Sequence, residues 1–70
     1  MTQAARFEKA RILALLGLSA ADETVPDAIE AMRAAAGDDP QLLFQAELMA
    51  GRWRVTRHEG EAAFQAIESA

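Results

Sequence analysis

The chain has no cysteine, no tyrosine, one histidine and one tryptophan, with only four glycines and two prolines in 70 residues. Each shortage removes a class of explanation. Without cysteine there is no disulfide to staple a small domain, and the usage suits a reducing, cytoplasmic setting. A zinc or iron site needs three or four converging ligands, and His58 is the sole imidazole. No metal and no cofactor are expected. The two serines, Ser19 and Ser69, have no histidine and orienting acid near them in sequence, so a nucleophilic triad is not expected either. Gly17, Gly37, Gly51 and Gly60 stand alone and form no phosphate-cradling loop. Glu59 and Glu61 read as carboxylates favoured at a helix N-terminus by the backbone dipole, not as an acid/base pair. The reading is of a chain that is not an enzyme.

Long apolar runs are also missing. No stretch approaches the roughly 18 residues of a spanning helix, so no membrane crossing is expected. Arg6, Lys9 and Arg11 ahead of Ile12–Leu18 and Ser19-Ala20-Ala21 have the outline of a secretory signal. Glu8 within the basic part and the minimal apolar length read against one.

Large apolar side chains are scarce as well. The hydrophobic fraction is 51%, yet alanine supplies 17 of the 36 residues in it and leaves 19 that are larger. Against ordering costs of roughly 1.5 kcal/mol per residue, so small a core predicts a marginally stable isolated monomer. Charge is uneven. The net is −4, composed of +2 over residues 1–18, −6 over 19–51, +3 over 52–58 and −3 over 59–70. The acidic middle opposes wrapping around a polyanion.

What is present is helix chemistry. Only eight residues are β-branched, whereas Ala, Leu, Glu, Gln, Arg and Met dominate. The expected fold is all-α, a single domain over 1–70 made of three to four short antiparallel helices arranged as helical hairpins. The breaks predict helices at about 3–16, 25–36, 40–53 and 57–69. Gly17 is placed to close the first in a left-handed C-cap. Thr24 and Asp27 have capping-box spacing for the second, with Pro26 in its first turn and Gly37 at its end. Asp39-Pro40 is a strong start for the third. Thr56 and Glu59 repeat the box for a fourth, which could instead continue the third.

The faces then suggest partners. Val25, Ile29, Met32 and Ala36 form one stripe, Leu42, Ala46, Met49 and Trp53 another, and Ala63, Phe64 and Ile67 a third. Phe44 and Leu48 point elsewhere. Ile12–Leu18 is apolar on every side, more than a 70-residue bundle can cover. We therefore expect a protein-interaction module acting as adaptor, assembly chaperone, inhibitor or self-associating subunit. Its partner is another protein or a second copy, in a homo-oligomer or hetero-complex. The expected contact residues are Leu13, Leu16, Leu18, Phe44 and Trp53, rimmed by Arg52, Arg54 and Arg57. The alternative is a small helical nucleic-acid binder that stacks a base on Trp53 and meets phosphates with the same three arginines.

Three resemblances accompany this reading. Ala28-Ile29-Glu30-Ala31-Met32-Arg33-Ala34-Ala35 followed by Pro40 resembles the second helix of a tetratricopeptide repeat, and Gly17/Gly51 and Ala28/Ala62 each recur at that family's spacing of 34. The resemblance implies helix pairs over residues 9–69 presenting a protein-binding surface. Asp39-Pro40-Gln41-Leu42-Leu43 with Trp53, Val55 and Arg57 is similar to the needle subunits of type III secretion systems, which implies a helical hairpin that polymerises. Leu15-Leu16-Gly17-Leu18-Ser19-Ala20 looks like the helical tails of phage head-assembly proteins. All three imply helices that dock on other proteins.

Overall fold

The computed structural model describes residues 2–69. They form three helices and, among the described residues, no strand: α1 (Gln3–Ala20), α2 (Val25–Ala36) and α3 (Pro40–Ser69). The fold is all-α, as expected. The helices run up, down and up, and α2 lies between the other two, packing extensively on α1 and along the first half of α3.

Thr2 opens α1, its hydroxyl accepting from the Ala5 amide at 3.1 Å. Beside it the Gln3 side chain donates to the Ala36 carbonyl at 2.9 Å, tying the start of α1 to the end of α2, where the same carbonyl also accepts from the Asp39 amide at 3.0 Å. The close of α1 differs from the expectation. Gly17 lies inside the helix, and the left-handed residue is Ala21, with φ of 52°. The reason is steric: an ideal Cβ on Gly17 would lie 2.6 Å from Val25 Cγ2. Glycine is used there to admit a neighbouring helix, so the turn falls to an alanine.

The loop into α2 also departs from the capping-box reading. Thr24 occupies the cap position without a side-chain cap bond; Asp22 Oδ1 accepts from the Thr24 amide at 2.9 Å instead. Gly37, with φ of 57°, ends α2 as its type predicts. Asp39 then starts α3, its Oδ1 accepting from the amides of Gln41 and Leu42 at 3.0 and 3.3 Å.

The largest difference comes next. The segments at 40–53 and 57–69 are one continuous helix of 30 residues. No proline interrupts it, and Gly51 and Gly60, open to solvent, each cost only about 1 kcal/mol relative to alanine. The Thr56/Glu59 pattern is therefore read through. At 1.5 Å per residue α3 spans about 45 Å, while the 18 residues of α1 span about 27 Å. The last third of α3 projects past the body, and the molecule measures 51 × 19 × 12 Å.

The core comprises Phe7, Ala10 and Ala14 from α1, Val25, Ile29, Met32 and Ala36 from α2, and Ala46, Met49 and Trp53 from α3. The α2 and α3 stripes are those read from periodicity. Arg33 ties the second layer together from outside: its Nε donates to Glu47 Oε1 of α3 at 2.9 Å, and it also pairs with Glu30.

Substitutions at three small residues separate these roles by sign. Gly17→Ala lowers unfolding free energy by about 1–3 kcal/mol, since the overpacking against Val25 exceeds the gain in helix propensity. Gly51→Ala raises it by about 0.5–1 kcal/mol. Ala21→Gly relieves left-handed strain and is stabilising by about 0.5–1 kcal/mol. Urea unfolding followed by circular dichroism reads all three, and a stabilising Gly17→Ala would contradict the close packing.

Candidate docking surfaces

Helical spacing decides which apolar residues the three-helix body can cover. On α1 the covered side carries Phe7, Ala10, Ala14 and Gly17, with Leu15 and Leu18 packed half-buried against it. Ile12, Leu13 and Leu16 fall on the far side, Leu16 being 64% exposed. On α3 the buried stripe faces α2, and Phe44, Leu48 and Val55 recur at spacings of 4 and 7 on the opposite side. Gly51 lies on the same stripe and leaves a dimple of about 490 Å³ between Leu48 and Val55. Beyond Trp53 the buried stripe continues as Gly60, Ala63, Phe64 and Ile67 with nothing to cover it, and Ile67 is 73% exposed.

Ala63, Phe64 and Ile67, expected to pack inside a fourth helix, thus stand in solvent because no turn folds them back. Sequence reasoning missed Phe64, Ile67 and Val55 as exposed apolar residues. The signal available was the absence of any strong breaker after Pro40.

The expected contact residues separate into two groups. Leu13, Leu16 and Phe44 are exposed. Leu18 is half-buried against the core, and Trp53 is part of the core at 7% exposure. The rim arginines are exposed but not gathered. Arg52 and Arg54, two positions apart on a helix, point about 200° from each other, so no single basic face forms. Arg57 sits over the Trp53 ring with Cζ 5.8 Å from its centroid, a cation–π contact that occupies the ring face a stacked base would need.

Two grooves accompany these faces. One of about 540 Å³ lies between α1 and α2, with Ala10, Leu13, Ala31 and Ala35 as its floor and Arg6 and Lys9 on its rim. No residue of α3 lines it. The other, about 400 Å³, is the angle between the α1–α2 loop and the projecting helix, reached by Glu23, Trp53, Arg57, Gly60 and Phe64.

Electrostatics around these faces is that of a solvated surface. Arg11 holds the Glu8 carboxyl below its ordinary value through a side-chain hydrogen bond. Hydrogen bonds to Glu47 and Glu30 raise Arg33 above its own. Among the described residues no polar side chain is buried without a partner, and no group of three or more His, Asp or Glu residues converges as a metal site. No described helix is long and apolar enough to cross a membrane. No family model, curated protein or solved structure matches the chain, so the resemblances noted from sequence rest on the residues quoted for them.

The projecting part of α3 has little to hold it in shape. Residues 57–68, all exposed and with Gly60 among them, form a stretch of helix that is marginal in water. In dilute solution the amides of residues 57–68 therefore exchange with deuterium at near-unprotected rates, while those of residues 46–53 are slowed by at least about 100-fold. Uniform protection along α3 in the dilute protein would contradict this.

Proposed function

We propose that the chain is a non-enzymatic protein-interaction module, serving as adaptor, assembly chaperone, inhibitor or self-associating subunit, that buries exposed apolar helix faces against a partner. One observation carries the reading. Among the described residues eight large hydrophobic side chains are exposed, whereas the core holds only six larger than alanine: Phe7, Val25, Ile29, Met32, Met49 and Trp53. Scattered exposed leucines are ordinary on protein surfaces, but here more large apolar side chains are exposed than fully buried, four leucines (Leu15, Leu18, Leu42 and Leu43) lie half-buried between, and the exposed ones stand in rows.

The total exposed area agrees. It is 4966 Å², whereas a compact monomer of 7.6 kDa exposes about 4,300 Å². The rows on α1 and α3 supply the anchors of an interface, and the arginines flanking α3 supply a polar rim. Of the contact residues expected from sequence, Leu13, Leu16 and Phe44 remain in the proposal as direct contacts. Leu18 and Trp53 support those faces from beneath.

Sedimentation velocity over about 1 µM to 1 mM, together with co-purification from the native host, tests the reading. The expected result is self-association or a stoichiometric partner, weakened at least about tenfold by Leu13→Lys with Leu16→Lys while Trp53 fluorescence stays native. A chain that remains monomeric, captures nothing, and unfolds with high stability independent of its concentration would overturn it.

A further inference from the structure

The projecting arm of α3 and the groove between α1 and α2 are complementary in charge. The projecting arm of α3 carries its apolar side chains, Phe64 and Ile67, on the stripe that continues from the core, with Gly60 and Ala63 between Trp53 and them. Glu61 and Glu68, seven positions apart, border that stripe on one edge. The groove between α1 and α2 has the opposite character. Its floor is alanine and Leu13, its rim is Arg6 and Lys9, and no carboxylate lines it. Among the described residues neither cation makes an ion pair. Shallow alanine floors let a second helix approach closely, and the apolar arm supplies the large side chains the groove lacks.

We propose that the arm of one copy, residues 57–68, docks in the α1/α2 groove of a second copy, reciprocally, to form a two-fold dimer. Phe64 and Ile67 then lie on the floor beside Leu13, and Glu61 and Glu68 face Arg6 and Lys9. This rests on the interaction-module reading and names its partner.

An arm cannot reach its own groove. The groove is lined by the N-terminal half of α1 and the C-terminal half of α2, level with the start of α3. Phe64 lies 24 residues beyond Pro40, about 36 Å along an unbroken helix. The contact is therefore between molecules. Reciprocal exchange also gives the self-complementary contact of a closed dimer, in which each copy contributes one arm and one groove.

The absence of native cysteine makes the test clean. Leu13→Cys and Phe64→Cys are made as separate full-length variants, distinguished by mass label, mixed and oxidised gently. The expected product is a disulfide between position 13 of one copy and position 64 of the other, well above the 13–13 and 64–64 products. Charge exchange supplies the second arm of the experiment, read by sedimentation equilibrium at low salt. Arg6→Glu with Lys9→Glu weakens dimerisation at least about tenfold, as does Glu61→Lys with Glu68→Lys, and a mixture of the two variants recovers it. All four side chains are exposed, and buried Trp53 reports through its fluorescence that the body stays folded.

Random cross-linking, or self-association indifferent to both charge exchanges, overturns the arm-in-groove contact and leaves the interaction-module reading standing. A wild-type chain that stays monomeric at about 1 mM also overturns the dimer, and the module reading then depends on the captured partner alone.

Discussion

α2 comes against α1 at a position where α1 has no side chain. Val25 at the start of α2 rests against the bare backbone of Gly17, within the space a methyl group would need. That contact fixes how near α2 lies to α1 and hence how thin the first layer is. Alanine does the same lower down, with Ala10, Ala14 and Ala36 buried where larger residues would spread the pair. The interior is consequently shallow. It is filled by a few side chains from above, and α3 provides them through Met49 and Trp53.

A shallow interior limits what the third helix can contribute. Once Ala46, Met49 and Trp53 are seated against α2, the hairpin is used up, because the turn from α1 into α2, at Ala21 and Glu23, lies near the level of Trp53. From residue 57 to residue 68 every side chain of α3 is exposed. The same brevity explains the far side of α3: with only two other helices present and both beneath it, the row at Phe44, Leu48 and Val55 has no neighbour. Thin layers and a long last helix are thus one fact seen from two directions, and the exposed rows follow from both.

How much of this was legible in the sequence depended on whether the signal was local. The stripes Val25–Ala36 and Leu42–Trp53 were readable because helical periodicity is a property of the segment itself. Asp39-Pro40 was readable because an aspartate accepting from the first free amides needs nothing beyond its own turn. Gly17 was misread because its role is set by Val25, eight residues away and in another helix. Thr56 and Glu59 misled in the opposite way. Their spacing permits a new start, but a start requires the preceding helix to stop, and nothing near Val55 stops it. Trp53 was placed correctly on its stripe, and its burial is what removes it from the surface where a contact residue must be. The exposed side of the apolar run, Ile12, Leu13 and Leu16, was legible as an excess, because no arrangement of so few helices covers all sides of one of them.

The unbroken passage of α3 from the body into the arm couples the two in phase. Each residue of a helix turns the chain by about 100°, so the direction in which Phe64 and Ile67 face is set by counting from Trp53. Side chains along the arm can change without altering that direction, but its length cannot. One residue inserted between Trp53 and Gly60 swings the whole apolar edge through more than a quarter turn, whereas seven return it to within about 20°. Over this stretch, natural variation should therefore keep to substitutions or to whole heptads.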